Sequence, residues 1–249
     1  MFLDPTILFA LAGLALLTGF VKSGLPVLGG LISVFMVMLF PPKDALGLAV
    51  LYLLVGDVIA VWMHWRKADW PILKQLIPAI FMGMLVGVLA LLNVSNEHLG
   101  GMIGVIVLLM VAMEPLRPRI TRWALDHARP VRVGSGMLAG FTTTVGNAAG
   151  PILSLYFLLI NVDKYRFIGT ASIFFLLVNV TKLPFYGAIG LFKDYYLWSY
   201  VVTMPFVLLG AFAGKYFLTW IPQQAFNRLI LIITALSGAW LFVRYTFFG

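Results

Sequence analysis

Apolar residues run almost unbroken along this chain, and polar residues cluster in short stretches between the runs. The apolar runs are Thr6 to Phe40, Ala45 to Met63, Ile72 to Leu92, Leu99 to Met113, Val131 to Ile160, Phe167 to Ile189, Tyr196 to Leu218 and Phe226 to Phe242. Most approach the roughly 20 residues that carry a helix across a hydrocarbon core, so each predicts a membrane span. Two are too long: Thr6 to Phe40 has 35 residues and Val131 to Ile160 has 30. At 1.5 Å per residue each would be about 45 to 50 Å long as one helix, more than ordinary tilt absorbs. Each also holds glycine and proline near its middle, so each predicts a hairpin of two short helices.

The second break is the denser. Gly140 to Pro151 reads Gly-Phe-Thr-Thr-Thr-Val-Gly-Asn-Ala-Ala-Gly-Pro. The first, Gly19 to Gly30, reads Gly-Phe-Val-Lys-Ser-Gly-Leu-Pro-Val-Leu-Gly-Gly. Backbone groups freed by such breaks cost several kcal/mol in lipid unless protein, water or a ligand meets them. Paired breaks in the two halves of an apolar chain point to a transporter substrate site.

The halves repeat. Gly19, Phe20 and Gly29 match Gly140, Phe141 and Gly150 at an offset of 121. Gly47 matches Gly169 and Asp57 matches Asn179 at 122, and Pro78, Gly83 and Gly87 match Pro205, Gly210 and Gly214 at 127. The division is a first membrane repeat over 1–114, a basic linker over 115–130 and a second membrane repeat over 131–249. The linker region, Glu114 to Arg132, carries five arginines and is expected in the cytoplasm. Counting outward from it, the loop Trp65 to Lys74 is cytoplasmic and holds Arg66, Lys67 and Lys74, while its flanking loops hold only Lys43. In the second half the bias reverses: Gly190 to Tyr195 holds only Lys193, and its flanking loops hold Lys164, Arg166 and Arg228. A swapped bias is what an inverted repeat produces. The expected fold is an all-α polytopic membrane protein of two homologous inverted repeats, each a broken helical hairpin plus three transmembrane helices. Four parallel spans per half is the alternative.

Composition agrees. The chain is 62% hydrophobic and 10% charged, against roughly 25% charged in a soluble domain, so it lacks the polar surface to cover a soluble core. Its net charge of +8 follows from positive cytoplasmic loops and is no argument for nucleic acid. There is no cysteine, which excludes disulfides and thiolate metal sites. The first apolar run has no basic residue before Lys22 and is expected to be a membrane segment rather than a cleaved signal. No HExxH or G-x-S-x-G pattern occurs, His64, His98 and His127 fall at span ends or in loops, and no enzyme or cofactor is expected.

The candidate chemistry lies at membrane depth. In the second break, Thr142, Thr143, Thr144 and Asn147 add neutral donors to Gly146, Gly150 and a helix N-terminus, a natural anion site; close packing through small residues is the other reading. In the first break the corresponding residues are Lys22, Ser23, Gly24 and Gly29. An ionisable group at this depth costs about 2.5 kcal/mol or more and marks a functional site by default. Lys182 lies inside Phe167 to Ile189, three residues after Asn179. With Lys22 it offers one positive charge per half to an anion. Lys22 as a snorkelling residue and Lys182 as a partner of Asp57 stay open as structural readings. Asp57, mid-span with the neutral Asn179 as its mate, is either an ion-coupling proton carrier or a counter-charge to a lysine. The Gly83-xxx-Gly87, Gly100-xxx-Gly104 and Gly210-xxx-Gly214 spacings read as packing.

At Gly19 to Gly30, at Gly140 to Pro151 with Ile152 to Ile160 after it, and in the duplication across nearly the whole chain, the sequence resembles the TauE/SafE sulfite exporter family. That family lies within the toluene sulfonate uptake permease superfamily. The resemblance implies secondary transport of small sulfur-containing anions, such as sulfite or sulfonates, in the inner membrane. The first copy departs from the glycine-rich pattern at Leu25-Pro26-Val27-Leu28. The expected partners are a small anionic substrate and the lipid bilayer, and the expected cycle is alternating access around an anion at the midplane. An anion channel and a non-transporting assembly factor are the alternatives.

Overall fold

A computed structural model describes residues 5–29, 32, 35–36, 39–40, 42–93, 105, 108, 112, 128–146, 149–188, 190, 192 and 194–247. Asn147, Gly30, the Gly100-xxx-Gly104 spacing, His98, His127, Lys193 and most of the basic linker lie outside the described residues. The described residues form eight α-helices and no strand: α1 Pro5–Gly24, α2 Pro42–His64, α3 Trp70–Asn93, α4 Ala128–Gly146, α5 Ala149–Leu159, α6 Lys164–Ala188, α7 Asp194–Trp220 and α8 Gln223–Phe247. Among the described residues five helical stretches are long and apolar enough to cross a membrane: α1, α2 with the short turn after it, α3, α6 and α7.

Both long apolar runs divide where glycine and proline interrupt them. α1 stops at Gly24. Pro26 disfavours helical geometry in the residue before it, and Leu25 accordingly sits at φ −139°, ψ 67° ahead of a short 3₁₀ turn over Pro26–Leu28. In the second half α4 ends at Gly146 and α5 begins at Ala149. α5 has 11 residues, about 16 Å of helix at 1.5 Å per residue, or half a hydrocarbon core of about 30 Å. Ala149 to Leu158 are all buried, so α5 is enclosed on every side.

Helix starts depart from the apolar runs where polar groups cap them. α6 begins at Lys164 because Asp163 Oδ1 accepts from the backbone N–H groups of Tyr165 and Arg166 at 3.1 and 3.2 Å. Asp69 Oδ1 likewise accepts from the N–H of Ile72 at the start of α3. α4 begins at Ala128 and so takes in Arg129 and Pro130, which the charge pattern assigned to the linker.

The helices gather into two compact units, and the units do not follow the sequence halves. The first holds residues 1–68 and 168–221; the second holds 69–167 and 222–249. Glycines explain the exchange. In the first unit α1, from the first half, crosses α7, from the second. A Cβ at Gly19 would stand 2.6 Å from the backbone N of Ala211 and closer still to Val207 O, and one at Gly210 would stand 2.7 Å from the carbonyl carbon of Leu16. In the second unit α4 crosses α3 in the same register. A Cβ at Gly140 would meet Ile80 O and Met84 N, and one at Gly83 would meet the carbonyl of Met137. Val207 and Ala211 stand 127 residues after Ile80 and Met84, and Met137 stands 121 after Leu16. Gly214 against Phe20 repeats as Gly87 against Phe141. Side chains at these positions would separate the backbones, so the small residues set both crossings.

Within the first unit α2 and α6 run antiparallel. Gly169 near the start of α6 packs on His64 and Ala68 at the end of α2, and Asn179 bonds Asp57 further along both helices. A core of Leu11, Leu14, Ala15, Met36, Phe40, Leu48, Ala49, Tyr52 and Val207 fills the space beside them. In the second unit Phe157, Phe167 and Phe226 stack edge to face at 5.2 and 5.3 Å. There Arg166 pairs with Asp69, and the backbone N–H of Lys164 donates to Gln223 Oε1 at 2.7 Å. These bonds hold the starts of α3, α6 and α8 at one end of the unit.

Candidate anion-binding site

Four ionisable or amide residues singled out by the sequence form a chain of contacts inside the first unit. Lys22 comes from the last turn of α1, Asp57 from the middle of α2, and Asn179 and Lys182 from successive turns of α6. Lys22 Nζ lies 2.6 Å from Asp57 Oδ1. Asn179 Nδ2 donates to Asp57 Oδ2 at 2.6 Å. Lys182 Nζ donates to Asn179 Oδ1 at 3.3 Å. The relative exposures are 2% for Lys22, 0% for Asp57, 2% for Asn179 and 4% for Lys182. Lys22 therefore does not snorkel: its ammonium turns inward to a carboxylate.

Local geometry explains why the lysine fits. Its stem lies across Gly56, where a Cβ would stand 2.8 Å from Lys22 Cγ and 3.3 Å from Thr18 Cγ2. Its ammonium sits 4.5 Å from the centre of the Phe175 ring, a distance at which the ring face attracts a cation. Gly29 closes the same end, with room for a Cβ 3.8 Å from Lys22 Nζ. Sequence reasoning missed Phe175 and the part played by Gly56. The signal for Phe175 was present: it precedes Asn179 by four residues and Lys182 by seven, the spacing of one helix face.

The cluster is electrostatically uneven. Two ammonium groups share one carboxylate. Among the other described acids, Asp44 and Asp194 stand in the first turns of α2 and α7, and Asp69 and Asp163 just before α3 and α6. Breaking a buried ion pair costs far more than making it gains, so Lys22 and Asp57 hold each other in place. Asn179 is suited to its position because an amide both donates and accepts: it gives N–H to the carboxylate and takes a bond from Lys182.

Other predicted site residues have different surroundings. Ser23 donates to the carbonyl of Ala211 at 2.7 Å, and Gly24 approaches Gly214 so closely that a Cβ would lie 3.0 Å from its carbonyl oxygen. Both belong to the α1–α7 crossing. Thr142, Thr143 and Thr144, with Gly146 and Gly150, belong to the second unit. Thr142 donates to the carbonyl of Leu138 at 2.8 Å and Thr144 to that of Gly140 at 2.9 Å. Their hydroxyl hydrogens are directed to their own helix, which sequence alone could not show. Among the described residues no three His, Asp or Glu side chains gather as a metal site requires.

A buried cluster of two lysines, an acid and an amide in a chain of membrane-length helices fits the handling of an anion. No curated protein matches the chain, and no solved structure does. A family model described as Sulfite exporter TauE/SafE matches residues 11–241, nearly the whole length. The members of that family are membrane transporters, not enzymes. The chain belongs to the TauE/SafE sulfite exporter family.

Proposed function

We propose that this protein is a secondary transporter that moves small sulfur-containing anions, sulfite or sulfonates, across the inner membrane by alternating access. Lys22 and Lys182 hold the anion, with Asn179 and Gly29 beside them, and Asp57 is the ion-coupling group. The observation that carries this reading is the buried Lys22–Asp57–Asn179–Lys182 chain of contacts. Charges at membrane depth are costly and persist where function needs them. For the second break we propose a lesser role, in which Thr143 contributes one neutral hydroxyl.

We also propose that the two repeats are inverted. The antiparallel run of α2 and α6, repeat mates through Asp57 and Asn179, supports this. So does the gathering of the starts of α3, α6 and α8 at one end, because the swapped charge bias assigns those basic loops to one side. Single cysteines in the loops Trp65 to Lys74 and Gly190 to Tyr195 should label from opposite sides. Labelling of both from one side would remove the inversion.

The functional test is Lys182→Met in the purified full-length protein. A hydrogen bond to a charged group is worth about 1.5 to 3 kcal/mol, so affinity for sulfite or methanesulfonate should fall about ten- to hundredfold in a protein that still folds. Unchanged affinity would show that the anion sits elsewhere. Asp57→Asn should abolish transport driven by a pH gradient while anion exchange continues; retained proton-driven transport would remove Asp57 from the coupling.

A further inference from the structure

We infer that the buried cluster balances the charge of its cargo, so that a divalent anion travels with one proton on Asp57 and a monovalent anion travels with none. The inference rests on the anion site proposed above and specifies how that site is coupled.

The argument begins with the charges. Lys22, Lys182 and Asp57, all ionised, sum to one positive charge, and Asn179 adds nothing. A monovalent anion brings the cluster to zero with Asp57 still ionised. A divalent anion would leave one negative charge. One proton from the aqueous phase, bound to a carboxylate oxygen of Asp57, restores zero. Net charge buried at membrane depth is strongly disfavoured, so the two neutral loaded states are the ones that dominate.

The geometry supplies the means. Asp57 Oδ1 faces Lys22 Nζ at 2.6 Å and Oδ2 accepts from Asn179 at 2.6 Å. With Asp57 ionised, Lys22 is engaged by the carboxylate and Lys182 serves the anion. Once Asp57 is protonated its hold on the Lys22 ammonium weakens, and both ammonium groups can meet the two charges of a divalent guest. Every charged or titratable neighbour of Asp57 fits this scheme. α1 contributes Lys22, and α6 contributes Asn179 and Lys182. α7 packs on α2 through Thr203, bonded to Tyr52, and Tyr200, whose hydroxyl donates to the carbonyl of Leu51 at 3.4 Å. On α2 itself His64 stands seven residues further on, within electrostatic reach of Lys215 of α7. Among the described residues no second carboxylate enters the balance.

The test uses two anions of nearly the same shape and different charge. Methanesulfonate is monovalent and sulfate is divalent across the neutral range. Both are titrated calorimetrically into the purified full-length protein at pH 7.5, in two buffers of different ionisation heat, which reads protons taken up on binding. Sulfate should take up one proton more than methanesulfonate. Sulfate affinity should fall about tenfold more steeply per unit rise in pH than methanesulfonate affinity, as proton linkage requires. In Asp57→Asn, sulfate should take up one proton fewer than in the wild-type protein. The same proton count for both anions in the wild-type protein, whether zero or one, would overturn the inference while leaving the anion site intact. Binding of neither anion would overturn the site itself.

Discussion

The α1–α7 crossing of the first unit and the α3–α4 crossing of the second use the same contacts and carry different chemistry. Gly19 meets Val207 and Ala211 as Gly140 meets Ile80 and Met84, and Gly210 meets Leu16 as Gly83 meets Met137. Ser23 packs on Gly214 where Thr144 packs on Gly87. At the position between the repeated aromatic and that hydroxyl, the first crossing carries Lys22 and the second carries Thr143, both 2% exposed. Lys22 has Asp57 within 2.6 Å and the Phe175 ring beside it. The mate of Asp57 is the neutral Asn179. Backbone packing is thus alike at both crossings, and a charge is buried at one. Packing tolerates no larger residue at the crossing glycines, whereas a buried charge persists only where a counter-charge is also present.

The comparison can be broken first at its charged position. Lys22→Met leaves Asp57 buried without its ion-pair partner, and removing one member of a buried pair typically costs about 3 to 5 kcal/mol. Thermal unfolding in detergent should show a large loss. The double variant Lys22→Met with Asp57→Asn should recover much of it. A double variant no more stable than Lys22→Met would show that the lysine acts through packing and not through its charge.

The next effect tests the shared part. Gly19→Leu and Gly140→Leu each place a branched side chain against the backbone of the crossing helix, and overpacking costs about 1 to 3 kcal/mol. The two losses should be alike to within about 1 kcal/mol. A large loss at one glycine and none at the other would end the equivalence of the crossings.

Gly56→Ala should have a smaller effect on stability, about 1 kcal/mol, because the atom it meets is the flexible stem of Lys22. Its effect should appear instead as weaker anion binding, since the lysine must shift. Equal binding in Gly56→Ala would show that the lysine can reach its guest from more than one path. The smallest effect belongs to Thr143→Val, which removes one neutral hydroxyl and should cost no more than about 1 kcal/mol in stability or binding. A loss as large as that of Lys22→Met would give the two crossings equal chemical weight.

Much of the architecture was legible along the chain. Membrane-length apolar runs predicted the spans, and the Gly/Pro interruptions predicted where α1 and α4 end, because proline and glycine act on the backbone locally. The offsets of 121 and 127 marked the glycines that set both crossings. The sequence also picked out Lys22, Asp57, Asn179 and Lys182, since polar groups stand out in an apolar run. What it left open was partnership. Lys22 read equally well as a snorkelling lysine, and Thr142 and Thr144 read as donors to a ligand. Which carboxylate a lysine meets, and whether a hydroxyl turns to its own helix, depend on how helices far apart in the chain are brought together. Only tertiary structure decided that α1 packs on α7 of the other half as well as on α2 of its own, and that Asp57 lies between Lys22 and Asn179. Sequence determines these elements through local backbone rules; pairing is decided by close approach of backbones at glycine and by the need of each buried charge for an opposite one.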